Sequence, residues 1–540
     1  VAAFGVAYLL LAPPSGDLAA ASYRSYLFAH AGLTIWDNGW YGGHYLPAYS
    51  LLSPELGAWF GPRLVTVAAS ALAVILFARL IDGRFTERTV QLANLGFALA
   101  VGVEVFSARV PFDLGLAVGL GALCAAARRR RAAALVLAGL CSLASPVAGV
   151  FLGLAGVAWA LDGSGASAPR REQAERAAAT SAPIFALLLT ASALLPIAAL
   201  AVAFPDGGTQ PYAASSFFPE EVLVLAIAAL LPREARTLRL GTVLYGAMMA
   251  AAFVVTSPLG SNAERLGALM AAPFAVFALR EHRPRLLLAL VPALLFWPSI
   301  SAAEDLAAAA SDPSVSQSYY VPLLRHLREL GALDRGRPVR IEVVPTLVHW
   351  DARWVASEVA IARGWERQLD SANDALFYSS HALTAALYHA WLRTDAISYV
   401  ALPDAPLDSS AAGEAALLRH AAPPYLRQVW HSAHWRLFAV RKPVALAQPP
   451  AVLTRLSADS FTLKTPRAGS FAVRVRFTPY WALERGAGCV LRSADGFTVV
   501  QARAAESLRV GIAFSLTRVF DHGPRCRGEL GGSTASSSWR

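Results

Sequence analysis

Charge is scarce in this sequence. Asp, Glu, Lys and Arg make up 16% of its 540 residues, against 56% hydrophobic residues and a mean hydropathy of +0.45. An ordinary soluble domain carries about 25% charged residues, so a wholly soluble chain is excluded. Cysteine is scarce too, with four in all. The less apolar C-terminal part has no nucleophile elbow, P-loop or zinc signature, which excludes the chemistries those motifs carry. His431 and His434 are spaced for one helix face, but they abut the strand-like WRLFAV and have no third ligand. They read as surface histidines. No cleavable signal pattern opens the chain. No internal repeat is visible, and no charge falls at the middle of a clear apolar run, both of which count against a secondary transporter.

The abundant apolar residues are arranged in runs. A helix needs about 20 of them to cross a bilayer. Runs of that scale, some shorter, lie at Leu64–Leu80, Leu92–Phe106, Leu114–Ala127, Ala132–Leu143, Val147–Leu161, Ala182–Phe204, Val222–Leu231, Leu240–Val255, Leu266–Leu279 and Leu286–Ile300. The opening run, Val1–Ala12, is expected to be the end of a truncated first helix. The prediction is a polytopic α-helical membrane domain over residues 1–300, with about eleven transmembrane helices.

Alternate loops hold sixteen arginines: Arg79, Arg84, Arg88, Arg128–Arg131, Arg170, Arg171, Arg176, Arg233, Arg236, Arg239, Arg280, Arg283 and Arg285. The intervening loops hold little besides Arg24, Arg63, Arg109 and Arg265. Arginine-rich loops stay cytoplasmic, so the first loop, residues 14–62, and everything after the last span are expected outside. These arginines nearly account for the formal +10 and the pI of about 9.7. Nucleic acid is therefore not an expected partner, whereas membrane lipid is.

Beyond residue 310 the pattern changes. VRIEVVPT, AISYVALP and WRLFAVRK read as strands, and LTAALYHAWLR and SSAAGEAALLRHAA as helices, giving an α/β unit over 311–447. Gln448–Pro450 marks a linker. SFTLKTP, SFAVRVRFT, GCVLRS, FTVVQA and LRVGIAFSL are short strands at regular spacing, which predicts a β-sandwich over 451–528. The tail, 529–540, reads as disordered. Cys124 and Cys141 fall in apolar runs as filler. Cys489 and Cys526 lie in the external part, where they are expected to pair as a disulfide, the alternative being two buried thiols.

One stretch breaks the apolar monotony. IWDNGWYGGHYLPAYS, Ile35–Ser50, has neither helical nor strand period. SGDLAAASYRSYLFAHAG before it reads as a helix capped by Ser15 or Asp17 and stopped at Gly32. Leu27 and Phe28 give that helix an apolar side for the membrane interface. Trp36, Trp40, Tyr41 and Tyr45 offer flat faces for a ligand, or serve only as interfacial aromatics. Asp17, just outside an apolar span and on the same face as Arg24, is a candidate functional carboxylate or a helix cap. Glu104, Arg109 and Asp113 in EVFSARVPFDLG, and Asn262, Glu264 and Arg265 in TSPLGSNAERLG, mark two further outer boundaries.

At these residues the chain resembles the GT-C superfamily of integral-membrane glycosyltransferases. In that family a long first external loop carries an acidic residue soon after the first span, and a soluble external domain often follows the last span. Asp17 occupies the acidic position. It also resembles actinobacterial membrane proteins carrying the same Trp-Tyr-Gly-Gly loop, a likeness that supplies no activity. The GT-C likeness implies a multi-pass bacterial plasma-membrane enzyme that takes a sugar from a polyprenyl phosphate. It would pass that sugar to an envelope glycan, lipid or protein on the outer face, with inversion. Asp17 would be the general base, with Asp37 as second choice. Arg24 and Arg265 would meet the leaving phosphate, Asn262 would donate a hydrogen bond, Trp40 and Tyr41 would stack on the sugar, and His44 would bind a hydroxyl. No Asp-x-Asp or Asp-Glu pair follows the first span and Asp113 stands alone, so no cofactor is assigned and a divalent metal is left open. The other readings are a secondary transporter and a non-catalytic envelope scaffold.

Overall fold

Every one of the ten apolar runs is helical to within a residue in the computed structural model, which describes residues 1–162, 173–379, 381–420 and 422–527. Arg170, Arg171 and the tail 529–540 lie outside the described residues. Three helices come first: α1 (Ala2–Leu11), α2 (Gly16–Ala31) and α3 (Ser53–Phe60). Ten follow: α4 (Pro62–Ile81), α5 (Glu87–Glu104), α6 (Val110–Ala127), α7 (Arg131–Ala144), α8 (Pro146–Asp162), α9 (Gln173–Ala203), α10 (Ala214–Leu230), α11 (Arg236–Val254), α12 (Glu264–Leu279) and α13 (Pro284–Ala310).

Among the described residues, six helices, not about eleven, are long and apolar enough to cross a bilayer. They are Pro62–Ile81, Glu87–Ser107, Val110–Ala127, Ala182–Ala203, Arg236–Val254 and Pro284–Ala310; α1 and α2, bent by 75°, make a seventh if counted as one broken span. Two further helices, α7 and α8, are apolar but shorter. α7 has 14 residues, about 21 Å at ~1.5 Å per residue against a hydrocarbon core of about 30 Å. α8, α10 and α12 have 17, 17 and 16 residues. The chain is a multi-pass membrane protein.

Successive helices from α4 to α13 run in alternate directions and gather two kinds of loop at two ends. At one end Phe85 stacks on Phe277 at 4.2 Å, Thr86 bonds Glu281 at 3.1 Å, and Arg236 pairs with Asp162 at 3.8 Å. The described arginine-rich loops meet there. At the other end Leu51 N–H donates to Leu143 O, and Ser371 of the α/β unit bonds Thr209 O. Small residues let the helices close up. A Cβ on Gly115 would lie 2.7 Å from Ala148 and Ser145, and one on Gly156 would lie 2.3 Å from Thr190 Oγ1. Close backbone approach of this kind holds helices together where lipid removes the hydrophobic drive between them.

The soluble part carries two kinds of sheet. With a two-residue hairpin in the first loop taken as β1 (Trp36–Asp37) and β2 (His44–Tyr45), the α/β sheet is β3 (Arg340–Val343), β4 (Ala360–Ile361), β5 (Ile397–Pro403), β6 (Leu426–His431) and β7 (Trp435–Val440). Their order is β4-β3-β5-β7-β6, parallel among the first three and antiparallel at β7 and β6. Residues 452–527 form β8 (Val452–Ser457), β9 (Ser460–Thr465), β10 (Gly469–Arg476), β11 (Trp481–Arg485), β12 (Gly488–Arg492), β13 (Phe497–Ala502), β14 (Glu506–Ile512) and β15 (Arg525–Arg527). They make two four-stranded antiparallel sheets, β10-β13-β12-β15 and β11-β14-β9-β8, sharing a core that includes Phe461, Phe471, Val473, Val500 and Leu508. Cys489 and Cys526 are disulfide-bonded across directly opposed positions of β12 and β15.

Candidate active site at the junction of the three parts

Ser15 caps α2, its hydroxyl accepting from Leu18 N–H, and Gly32 ends the helix with φ 73°. Leu18, Ala19, Ala20 and Tyr23 of α2 share a core with residues of the α/β unit, Arg24 and Leu27 are also buried, and Phe28 stays half-buried.

The Trp-Tyr-Gly-Gly stretch that follows is a wedge between the soluble units. Trp36 points into the sandwich core, edge-on to Trp481 at 5.8 Å, and its indole donates to Asn38 Oδ1 at 2.8 Å. Asn38 Nδ2 in turn donates to Ser457 O. Trp40 points the other way: its indole donates to Ala352 O at 3.0 Å and its ring stacks on Tyr23 at 4.4 Å. Ile361 N–H donates to Gly39 O, and Arg476 N–H to Gly42 O. Tyr41 OH accepts from Glu366 N–H at 3.0 Å. The glycines are required at the turn. Gly42 and Gly43 have φ of 72° and 127°, and a Cβ on Gly43 would lie 2.4 Å from the Trp36 ring.

This geometry corrects four expected roles. Trp40 and Tyr41 are 0% and 1% exposed, so neither ring has a face free for a sugar. Asp37 is buried, accepting from Tyr23 OH at 3.0 Å and from Gly39 N–H at 2.9 Å. Burial outweighs those bonds and pushes its carboxyl up to about 6. His44 is buried 4.0 Å from Asp37, with neither ring nitrogen hydrogen-bonded. Burial, with Arg24 nearby, pushes it down to about 3, so it is neutral and the two do not form an ion pair. A base or hydroxyl-binding group must reach its substrate, and both side chains are closed to solvent here.

Asp17 and Arg265 lie elsewhere, in a charged cluster at the helix end facing the soluble units. Arg109, between α5 and α6, donates from Nε to Asp17 Oδ2 at 3.3 Å and from Nη1 to Glu104 at 3.0 Å. Burial alone would lower the guanidinium's pKa, but the carboxylates of Glu104 and Asp17 raise it, so Arg109 stays charged. Asp17 keeps 30% of its side chain exposed. Arg265 stands over the Phe112 ring at 5.5 Å, within electrostatic reach of Asp17, Glu104 and Arg109. Asn262 sits in the turn Gly260–Ala263 that leads into α12. Arg24 does not join Asp17, although they share a helix. It pairs with Glu366 of the α/β unit, and the Tyr49 ring lies 3.9 Å from its guanidinium. Sequence reading flagged Glu104 and Arg109 by position only. Glu366 carried no signal, because its partner is 342 residues away.

A divalent metal does not fit these residues. Arg109 already bridges the two carboxylates that would hold it, and no metal-binding group of three or more acids, histidines or cysteines exists among the described residues.

A cavity of about 1020 Å³ lies within the helical bundle, and none of Asp17, Asp37, His44, Asn262 and Arg265 lines it. Its inner end is at Phe112, Tyr245 and Gly267. There Tyr245 OH donates to Ala263 O and accepts from Gly267 N–H, both at 2.8 Å.

No protein-family model matches the chain, and no curated protein does. Among solved structures it is similar to a GT-C membrane glycosyltransferase, the archaeal oligosaccharyltransferase AglB from Archaeoglobus fulgidus in complex with an inhibitory peptide and a dolichol-phosphate. That match has TM-score 0.43 and 12% identity, over 72% of this chain and 66% of that one. The Archaeoglobus fulgidus oligosaccharyltransferase complex with Zn and sulfate gives 0.40 and 13%, over 72% and 64%. The same enzyme tethered to an acceptor peptide gives 0.41 and 12%, over 72% and 65%. This chain thus spans just under two thirds of the length of the structures it matches, and the likeness is one of chain trace alone.

Proposed function

We propose that this protein is a GT-C-type membrane glycosyltransferase that moves a sugar from a polyprenyl-phosphate donor to an envelope acceptor. The single observation that carries the reading is the charged cluster around Arg109. It joins a partly exposed carboxylate from the first loop, Asp17, to two arginines from different helix ends, Arg109 and Arg265, where apolar helices meet soluble units. Ionisable groups at such a boundary are costly and mark function more often than packing.

In this reading Asp17 takes the proton of the acceptor hydroxyl, whose oxygen forms the new bond to the sugar's anomeric carbon from the face opposite the phosphate. The bond from that carbon to the phosphate oxygen breaks, its electron pair stays on the phosphate, and the configuration inverts. Arg109 and Arg265 stabilise the negative charge, which they do best where water is excluded. Positive-inside bias of the arginine loops supports placing the cluster and both soluble units outside the cytoplasm of a bacterial plasma membrane.

One observation favours a non-catalytic scaffold: Trp36, Trp40, Tyr41 and His44 are all enclosed in contacts between parts of the chain. The two readings separate on envelope glycan analysis of a deletion strain complemented with wild type or Asp17→Asn. A transferase predicts loss of a glycan restored by wild type alone, and a scaffold predicts restoration by both.

A further inference from the structure

Apolar side chains exposed singly on a soluble unit are ordinary, but several in one place mark a contact. Among the described residues beyond 311, the two most exposed large apolar side chains are Leu516 at 76% and Phe520 at 83%. They flank a single 3-10 turn, Leu516–Val519, in the loop 513–524 that joins β14 to β15, and Phe514 of the same loop is 49% exposed. The loop is held in shape from beneath. Arg518 is buried and donates to Pro479 O at 2.9 Å, to Asp521 at 2.9 Å and to Gly523 O at 2.7 Å. Arg525 donates to Ala513 O at 2.9 Å. The exposure of Leu516 and Phe520 thus belongs to a braced turn.

The position of the loop identifies what covers it. The sandwich rests on the last turn of α9: Tyr480 OH donates to Ala203 O at 2.7 Å, and the Phe204 ring lies 5.8 Å from Tyr480 and 5.9 Å from Phe514. Ala182–Ala203 is one of the six candidate spans, with 22 residues. That is about 33 Å at ~1.5 Å per residue, enough to cross a hydrocarbon core of about 30 Å. Phe204 therefore stands at the edge of the hydrocarbon, with Phe514 beside it. The same helix faces lipid, since Leu188, Leu195 and Val202, spaced by seven and so on one side of it, are all exposed. At the same end of the bundle Trp59 and Phe60, exposed just before the span that opens at Pro62, mark the boundary in the way interfacial aromatics do. We propose that loop 513–524 dips into the leaflet on the side of the soluble units, with Leu516 and Phe520 among the upper acyl chains. The occupant of the patch is the bilayer, because the patch continues a surface that hydrocarbon already covers. The β-sandwich is thereby anchored to the membrane at a point separate from its chain connection to the bundle, and the proposal does not rest on sugar transfer.

The test uses the full chain in nanodiscs of palmitoyl-oleoyl phosphatidylcholine. A nitroxide is attached in turn at Leu516→Cys, at Phe520→Cys and, as a water-facing reference, at Arg335→Cys in the exposed charged turn Asp334–Arg337. The native thiols do not compete, since Cys124 and Cys141 are buried and Cys489 and Cys526 are bonded to each other. Oxygen partitions into hydrocarbon and a nickel chelate stays in water, so the ratio of their collision rates with the label reads depth. That ratio is expected to be severalfold higher at 516 and 520 than at 335. Should a labelled variant fail to fold, wild-type protein in vesicles whose lipid carries a diazirine near the top of the acyl chain should be labelled in the tryptic peptides Val510–Arg518 and Val519–Arg525. A ratio equal to the reference would place the loop in water and overturn the proposal. Low collision with both reagents would show a protein cover, either the tail beyond Arg527 or a second copy, and would overturn it too, as would absence of the photolabel from both peptides.

Discussion

Arg24 of α2 and Glu366 of the α/β unit, 342 residues apart, form an ion pair in which the arginine side chain is 3% exposed and the glutamate 15%. Burial holds the Glu366 carboxyl above its ordinary value even with Arg24 against it. The pair is therefore a desolvated clasp between the first loop and the soluble part. Removing one partner leaves the other charge buried and unpaired. Glu366→Gln or Arg24→Ala is expected to lower stability by about 3 kcal/mol, and Arg24→Met combined with Glu366→Leu to recover much of the loss. Thermal unfolding of the solubilised protein measures both.

The turn at Gly42–Gly43 makes a local prediction. Gly43→Ala places a methyl 2.4 Å from the Trp36 ring at a φ of 127°, and is expected to cost about 2–3 kcal/mol through overpacking and backbone strain. Gly32→Ala also meets positive φ but has nothing within 4 Å of its Cβ, so it should cost no more than about 1–2 kcal/mol. Similar melting shifts for the two would contradict the wedge.

Asp37 and His44 oppose each other in their effect on stability against pH. Asp37 rises to about 6 in the fold from about 3.9 unfolded. The folded chain therefore holds its proton more tightly, and stability from this group is lost as pH climbs from about 4 to 6. His44 falls to about 3 from about 6.5 unfolded. The unfolded chain binds the extra proton, and stability from this group is lost as pH drops from about 6.5 to 3. Between pH 4 and 6 the two nearly cancel. Asp37→Asn is expected to expose the histidine alone, giving stability that rises by about 1.4 kcal/mol per pH unit over that window. A flat profile in that variant would place His44 in contact with water.

How much of this was legible in the sequence depends on how local the cause was. The Ser15 cap and the Gly32 stop are decided within four residues, and both are seen. The arginine loops are equally local, and their helices fold with those loops together. The span count depends on helix length, and hydropathy does not reveal that α7 stops at 14 residues. The aromatic stretch was conspicuous, but a tryptophan that faces a ligand and one that faces another domain have the same letter. Trp40 finds Ala352 across 312 residues, and no period or motif announces such a contact.

The cluster at Arg109 is tested most directly by purified protein, polyprenyl-phosphate-linked sugars and mass spectrometric detection of released polyprenyl phosphate. Wild type is expected to release it in the presence of acceptor membranes. Asp17→Asn should lose activity by at least about 10²-fold, the scale of a missing general base, while keeping its melting temperature to within a few degrees. Undiminished release by Asp17→Asn, or none by wild type with any sugar tried, would contradict the account.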